Sequence, residues 1–262
     1  MTDDQPLFLE VGEDARRIAV RVTQGASEPG RPGVLWCGGF LSDMRGTKAE
    51  ALAEWGARTG RRVVRFDYSG HGESAGAFEE GTISRWTQDA LAVFDRFCQG
   101  PQVIVGSSMG GWIALLIARA LAARGPRPAA APSLAALVLI APAPDFTEEL
   151  MWKAMPDDVR AAILHDGVWM RPSDYGPAQP ITRRLIEDGR SNLVLGAPFP
   201  VGCPVRILQG VADPDVPWQH AVRLVSCLAE DDVVLTLIKD GDHRLSRPED
   251  LERIIAAVED VA

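Results

Sequence analysis

Residues 103–112 read Val103-Ile-Val-Gly-Ser-Ser-Met-Gly-Gly-Trp112, and their reading decides the fold. A β-branched run, Val103 to Val105, stops at Gly106, and an apolar helical run begins after Gly110. Between them, Gly106-Ser107-Ser108-Met109-Gly110 matches G-x-S-x-G in the strand–turn–helix setting that gives the motif its meaning. A serine on so tight a turn needs strained backbone dihedrals, and flanking glycines let strand and helix approach closely. The turn lifts the Ser108 hydroxyl clear of a sheet, at the positive end of the helix that follows. Gly111 favours the same close packing, and Trp112-Ile-Ala-Leu-Leu-Ile-Ala118 reads as a buried helix.

Outward from this stretch, strand and helix alternate. Leu7–Val11 and Arg17–Val22 are strand candidates joined by the turn-forming Gly12-Glu-Asp14, an antiparallel start. After a loop from Pro29 to Gly33, Gly33–Cys37 is a compact apolar strand leading into Gly38-Gly-Phe-Leu-Ser42. A helix is predicted over Thr47–Thr59 from the stripe Ala49, Leu52, Ala53 and Trp55. Arg62–Phe66 is the next strand, ending in the glycine-punctuated loop Asp67–Ser74, and Thr82 caps a helix running to Phe97. Beyond an Ala/Pro/Gly-rich linker (Arg124–Ser133), Ala136–Ile140, Val205–Gln209 and Asp232–Ile238 complete eight strands, with helices near 218–228 and 249–261. The unbroken apolar strands are of the kind that parallel sheets bury on both faces. Right-handed crossovers then give an α/β fold of one domain, residues 1–262: eight mostly parallel strands covered by helices on both faces.

One interval breaks the alternation. Residues 145–202, between the sixth and seventh strands, are too many for a plain connection and need structure of their own. Thr147–Met155, Pro156–Leu164 and Ile181–Glu187 read as helical, and Val168–Arg171 as part of a hairpin. We expect a lid over the carboxyl ends of the strands, where open α/β sheets bind ligands. Its large apolar side chains, among them Trp152, Trp169 and Met170, are the candidates for substrate contact. Nearby acidic residues (Glu148, Glu149, Asp157, Asp158) point to a neutral substrate.

Composition removes whole classes of function. At 46% hydrophobic, 262 residues bury a sizeable core. A net charge of −9 opposes nucleic-acid or anionic-membrane binding. No apolar run reaches the roughly 18 residues of a membrane span. Cys37, Cys98, Cys203 and Cys227 have no metal-like spacing, and three of them lie in or beside apolar runs as expected of buried thiols. Met1–Pro6 is acidic and polar, without the basic and apolar stretches of a leader. Together these give the expectation of a reducing, cytoplasmic compartment.

A serine hydroxyl is a poor nucleophile until a base, itself oriented by a carboxylate, lies within hydrogen-bond reach. On this architecture the order is serine, acid, histidine, each on a loop after a later strand. Of four histidines, His71 precedes the serine, His165 lies in the insertion and His220 in a helix; His243 directly follows the last strand and is the base. Asp213, four residues past the seventh strand, is the expected acid, with Asp215 and Asp145 as alternatives. An oxyanion hole needs two converging N–H groups: Met109, after the nucleophile, and Phe40, in the glycine-rich loop after the third strand. The chemistry is acyl transfer on a small-molecule or acyl-conjugate substrate, with no metal and no organic cofactor. Peptidases and C–C bond hydrolases use the same triad, and a non-catalytic binding protein would have lost one of its members.

These residues carry a resemblance. The chain resembles the α/β-hydrolase superfamily over nearly its whole length. Within it, the chain is similar to the vertebrate mitochondrial abhydrolase-domain enzymes described as palmitoyl-protein thioesterases and acyl-glucuronide esterases. The shared strings are Gly46-Thr-Lys-Ala49, Arg65-Phe-Asp-Tyr-Ser-Gly70, Val105-Gly-Ser-Ser-Met-Gly-Gly-Trp112, Gly167-Val-Trp169, Val216-Pro-Trp218 and Asp242-His-Arg244. The resemblance implies Ser108, Asp213 and His243 as the triad. It departs where many superfamily members have His-Gly and this chain has Gln209-Gly210 and Cys37-Gly38. From the acidic, polar Met1–Pro6 we expect no mitochondrial presequence, so the resemblance does not carry a location over.

Overall fold

The computed structural model describes residues 5–23, 31–125, 128, 131–172 and 178–262. The start of the acidic N-terminal segment, of the Pro29–Gly33 loop and part of the Arg124–Ser133 linker lie outside the described residues. The strands are β1 (Leu7–Val11), β2 (Arg16–Thr23), β3 (Gly33–Cys37), β4 (Val63–Phe66), β5 (Pro101–Ser107), β6 (Ser133–Ile140), β7 (Val168–Arg171), β8 (Gln179–Thr182), β9 (Val205–Gly210) and β10 (Val233–Ile238). The helices are α1 (Thr47–Thr59), α2 (Ile83–Phe97), α3 (Met109–Ala123), α4 (Asp157–Asp166), α5 (Arg183–Arg190), α6 (Trp218–Cys227) and α7 (Pro248–Asp260).

Eight strands form one sheet in the order β1-β2-β4-β3-β5-β6-β9-β10. β2 runs antiparallel to both β1 and β4, and every other pairing in this sheet is parallel. The period-2 alternation of each strand divides the core. Leu35, Cys37, Val64, Phe66, Ile104 and Leu137 face α2, α3 and α6. Val34, Trp36, Val63, Val103, Val105 and Val138 face α1 and α7. β3 is therefore buried on both sides, as its unbroken apolar sequence requires. Thr82 caps α2, its hydroxyl accepting from Arg85 N at 3.1 Å. Two of the four thiols, Cys37 and Cys98, are buried; Cys203 and Cys227 are half-exposed, one fewer buried than the apolar context of their runs implied.

The interval between β6 and β9 departs from its reading in detail. Thr147–Met151 is a π-helical turn followed by a 3₁₀ turn at Trp152–Ala154, in place of one regular helix. Ile181 and Thr182 end a strand, β8, that pairs antiparallel with β7, and α5 begins only at Arg183. Thr182 supplies the reason: its hydroxyl accepts from Leu185 N, so the helix is capped there and cannot start earlier. The insertion has a small core of its own, Ile163, Ile181 and Ile186 with Trp152, Met155 and Trp169 packed on it. Asp145 ties its return to the body, its two oxygens accepting from Val194 N and Leu195 N at 2.8 Å each.

Candidate active site

Ser108 stands between β5 and α3 with φ 54° and ψ −118°, outside the regions that a side-chain-bearing residue favours. A Cβ on Gly106 would overlap the Gly110 carbonyl, and one on Gly110 would overlap the Cys37 carbonyl in β3. The glycines of the motif are therefore required by contact distance. Strain of this kind gathers at one end of the sheet. Of six described non-glycine residues with positive φ, five (Leu41, Ser108, Ala141, Asp145, Leu245) follow the carboxyl ends of β3, β5, β6 and β10.

Two more loops at that end complete a hydrogen-bonded chain. His243, after β10, places Nε2 3.0 Å from Ser108 Oγ and Nδ1 2.8 Å from Asp213 Oδ2. The carboxylate can only accept, so Nδ1 bears the proton and Nε2 presents its lone pair to the serine hydroxyl. Asp213, after β9, is buried; its Oδ1 accepts from Asp215 N and Val216 N at 2.8 Å, and its Oδ2 also accepts from Gln209 Nε2 at 3.1 Å. Burial pushes the Asp213 carboxyl up, but the hydrogen bonds from His243, Val216 and Asp215 outweigh it and hold the group below its ordinary value. The loops are locked to each other: Ala212 N donates to Gly241 O at 3.0 Å, and Lys48 Nζ donates to Arg244 O.

The remaining sequence candidates are placed elsewhere. Asp215 meets the acid through its backbone N–H only, and Asp145 is committed to Val194 and Leu195. His165 is exposed beside Asp166, and His220 Nε2 donates to Pro144 O at 2.7 Å. Asp213, Asp215 and His243 bring three possible metal-donor atoms within 4.8 Å of one another, and Asp213 and His243 are already committed to the hydrogen bonds above.

Two cavities open on Ser108. The larger, about 670 Å³, lies under the insertion and is bounded by Phe40, Met109, Phe146, Leu150, Met151 and Val216, with Arg171 and Arg244 also on its wall. The smaller, about 310 Å³, lies on the other side, between Trp36, Ser42, Lys48, His243 and Ser246. Among the described residues, neither the Phe40 nor the Met109 backbone N–H has a hydrogen-bond partner. The expectation that Trp152, Trp169 and Met170 meet the substrate needs correction. Trp152 and Trp169 pack into the insertion's own core, Trp152 also stacking under Arg190, and Met170 is 49% exposed. Hydrophobicity marks both uses alike; the cavity instead takes Phe146, Leu150 and Met151, from the turn next to β6.

The model of the Alpha/beta hydrolase family matches residues 33–257, and the chain belongs to that family. Within it, the chain is 34% identical over 250 residues to the human palmitoyl-protein thioesterase ABHD10, mitochondrial, covering 95% of this chain and 77% of that protein. The structure of mouse alpha/beta hydrolase domain-containing protein 10 superposes with a TM-score of 0.83 at 33% identity, over 98% and 97% of the two chains. A putative hydrolase from Agrobacterium vitis S4 superposes with a TM-score of 0.93 at 49% identity, over 98% of each. These relatives overturn the expectation of a cytoplasmic location, since the ABHD10 proteins are mitochondrial. Free thiols fit any reducing compartment and do not tell one from another.

Proposed function

We propose that the protein is a serine hydrolase that cleaves carboxylic esters or thioesters carrying an apolar acyl group. The observation that carries the reading is the continuous chain Ser108 Oγ–His243 Nε2/Nδ1–Asp213, with the unpaired N–H groups of Phe40 and Met109 at the same cavity. Met109 opens α3, so its N–H has no partner within the helix, and the Phe40 N–H is free in the loop after β3. Here they form an oxyanion hole that a tetrahedral intermediate fills.

The reaction runs in two steps. His243 takes the Ser108 proton as Oγ attacks the acyl carbon, and the carbonyl oxygen becomes an oxyanion held by the two amides. Asp213 keeps the imidazole in the required tautomer and stabilises its protonated form. His243 then gives the proton to the leaving alcohol or thiol, and the acyl group remains on Ser108. A water deprotonated by His243 releases the acid and restores the serine.

The insertion, residues 145–202, serves as a lid, and the 670 Å³ cavity beneath it receives the acyl chain. The smaller cavity beside Lys48 and Ser246 takes the leaving group. The name of the ABHD10 relatives, a palmitoyl-protein thioesterase, supports including thioesters. A fluorophosphonate probe should label Ser108 in the wild type and nothing in Ser108→Ala. A chain-length screen of p-nitrophenyl esters and acyl thioesters should give turnover that Ser108→Ala lowers by on the order of 10³-fold or more. Labelling or turnover that survives in the variant removes the assignment.

A further inference from the structure

His71 stands outside the proton-transfer chain, yet it is buried and wedged among the rings of Tyr68, Phe78 and Trp86, at centroid distances of 5.6, 5.1 and 5.2 Å. Both of its nitrogens are committed. Nδ1 donates to Ser69 O at 3.2 Å, and Nε2 accepts from Leu41 N at 3.3 Å. Ser69 is itself fixed, since its N–H and hydroxyl donate to the buried carboxylate of Asp89 and its carbonyl also accepts from Trp86 Nε1. The imidazole is therefore held as the neutral Nδ1–H tautomer, and burial lowers it to about 4, which keeps the Nε2 lone pair free at neutral pH.

What that lone pair holds is the glycine-rich loop after β3. Ser42 N closes a turn on Gly39 O at 3.2 Å, with Phe40 at negative φ and Leu41 at φ 58°. This is the pattern of a type II turn, whose second central residue is normally glycine. A leucine there is strained. The alternative, a type I turn, is reached by flipping the Phe40–Leu41 peptide, and the Leu41 N–H donated to His71 belongs to that peptide. The flip would break this hydrogen bond and reset the dihedrals on both sides of it. One residue earlier is the unpaired Phe40 N–H.

We infer that His71 is a positioning residue for the oxyanion hole: by accepting from Leu41 N–H, it holds the strained turn that aims the Phe40 amide at the reacting carbonyl. The inference rests on the serine-hydrolase reading above and adds a residue that never touches the substrate.

The test compares His71→Ala, His71→Asn and His71→Gln in steady-state turnover of a p-nitrophenyl ester and in the affinity of an alkyl boronic acid, which forms a tetrahedral adduct on the serine. A glutamine places its Oε1 near where Nε2 stood and can accept from Leu41; an asparagine does not reach. Removing one oxyanion donor costs about 10²–10³-fold, and misaiming it costs less. The expected result is kcat about 10- to 100-fold lower in His71→Ala and His71→Asn, with KM within about threefold and boronate affinity falling in step. His71→Gln should recover kcat to within about threefold of wild type. Unchanged kcat and boronate affinity in His71→Ala, or a His71→Gln as impaired as His71→Ala, overturns the inference. Turnover surviving in Ser108→Ala overturns the hydrolase reading and this inference with it. The ¹⁵N shifts of His71 in the wild-type protein need no variant: at neutral pH they should report the neutral Nδ1–H form, and an Nε2–H form overturns the inference.

Discussion

The Gln209 side chain donates to Asp213 Oδ2 at 3.1 Å, the same oxygen that receives His243 Nδ1. Gln209 Nε2 also reaches the carbonyls of Gly210 and Val216, so one buried amide fixes both the carboxylate and the loop that carries it. The glutamine supplies a donor that cannot titrate. Gln209→Ala should lower kcat about tenfold, equivalent to about 1.4 kcal/mol, by loosening the acid without removing it. KM should stay near its wild-type value, and steady-state kinetics on one ester reads both. An unchanged kcat would mean that the backbone N–H groups of Asp215 and Val216 suffice.

The three carboxylates that compete for the acid's place separate by function. Asp213→Asn should cut kcat by about 10³- to 10⁴-fold, because the amide can present an N–H to Nδ1 and reverse the imidazole tautomer. Asp215→Asn should leave turnover within a few-fold, since the Asp215 carboxylate, although within 4.8 Å of a His243 nitrogen, makes no hydrogen bond to it. Asp145→Asn acts on stability. It weakens one of two hydrogen bonds to the returning insertion, so the melting temperature should fall while kcat changes little. A dead Asp145→Asn that melts like wild type would move the acid to the end of β6.

The elements that could be read from the sequence are those whose signals are local. Gly106 to Gly110 named both the turn and its serine, and the apolar runs of β3, β5 and β6 named the sheet. Thr82 gave a helix start because a cap is a one-residue device. Chain order singled out His243, which directly follows the last strand and lies 3.0 Å from Ser108 Oγ. What could not be read depends on distant contacts. Trp152 and Leu150 look alike as apolar residues of one interval, yet Trp152 packs on Ile163, Ile181 and Ile186 and under Arg190, whereas Leu150 lines the cavity. The role of Gln209 rests on a partner four residues away across a turn, and that of His71 on a partner 30 residues earlier. The acidic residues at 148 and 149 suggested a neutral substrate, yet Glu148 pairs with Arg190 and Glu149 with Lys153 and Arg223. The charged side chains on the cavity wall are Arg171, Asp215 and Arg244.

Acid should destabilise the fold partly through His71. Its folded-state value, lowered to about 4 by burial, lies below that of an unfolded histidine, about 6.5. Between those values the unfolded chain binds the extra proton, so this contribution is whole above pH 6.5 and is lost as pH falls toward 4. The loss amounts to roughly 3 kcal/mol at the bottom of the window. Asp67, raised to about 6 by burial, works in the opposite direction over part of the same range. Comparing wild type with His71→Gln cancels that second effect. In denaturant unfolding, the stability difference between the two proteins should move in favour of His71→Gln as pH drops from 6.5 to 4. A difference that does not change with pH would show that His71 takes up its proton in the folded state as easily as in the unfolded one.

Gly110→Ala should damage the fold as well as the chemistry. The new methyl group would overlap the Cys37 and Gly38 carbonyls, so α3 must withdraw from β3 or the turn must open. Overpacking of this kind costs about 1–3 kcal/mol, and the contact here is with backbone that cannot rotate away. A melting temperature several degrees lower, with fluorophosphonate labelling of Ser108 much slowed, is the expected outcome. A variant that melts and labels like wild type would show that the strand–helix contact is looser than the distances imply.

Acyl-chain preference distinguishes the side chains that line the cavity from those that only build the insertion. Met151, Leu150 and Phe146 bound the 670 Å³ space beside Ser108, whereas Met170, of the same chemistry as Met151, is turned toward solvent. Each methylene that enters an apolar cavity gains roughly 0.8 kcal/mol, up to about a fourfold rise in kcat/KM per carbon. On a series of p-nitrophenyl esters, kcat/KM should therefore climb from acetyl through hexanoyl to decanoyl until the space is full. Met151→Ala removes wall area that the chain would touch. It should lower kcat/KM for medium chains by about tenfold and move the optimum toward longer or branched acyl groups, with little change for acetyl. Met170→Ala should leave the whole profile where it was. If both variants shift it equally, the insertion acts through its overall packing; if acetyl esters are cleaved fastest by the wild type, the cavity does not receive the acyl chain at all.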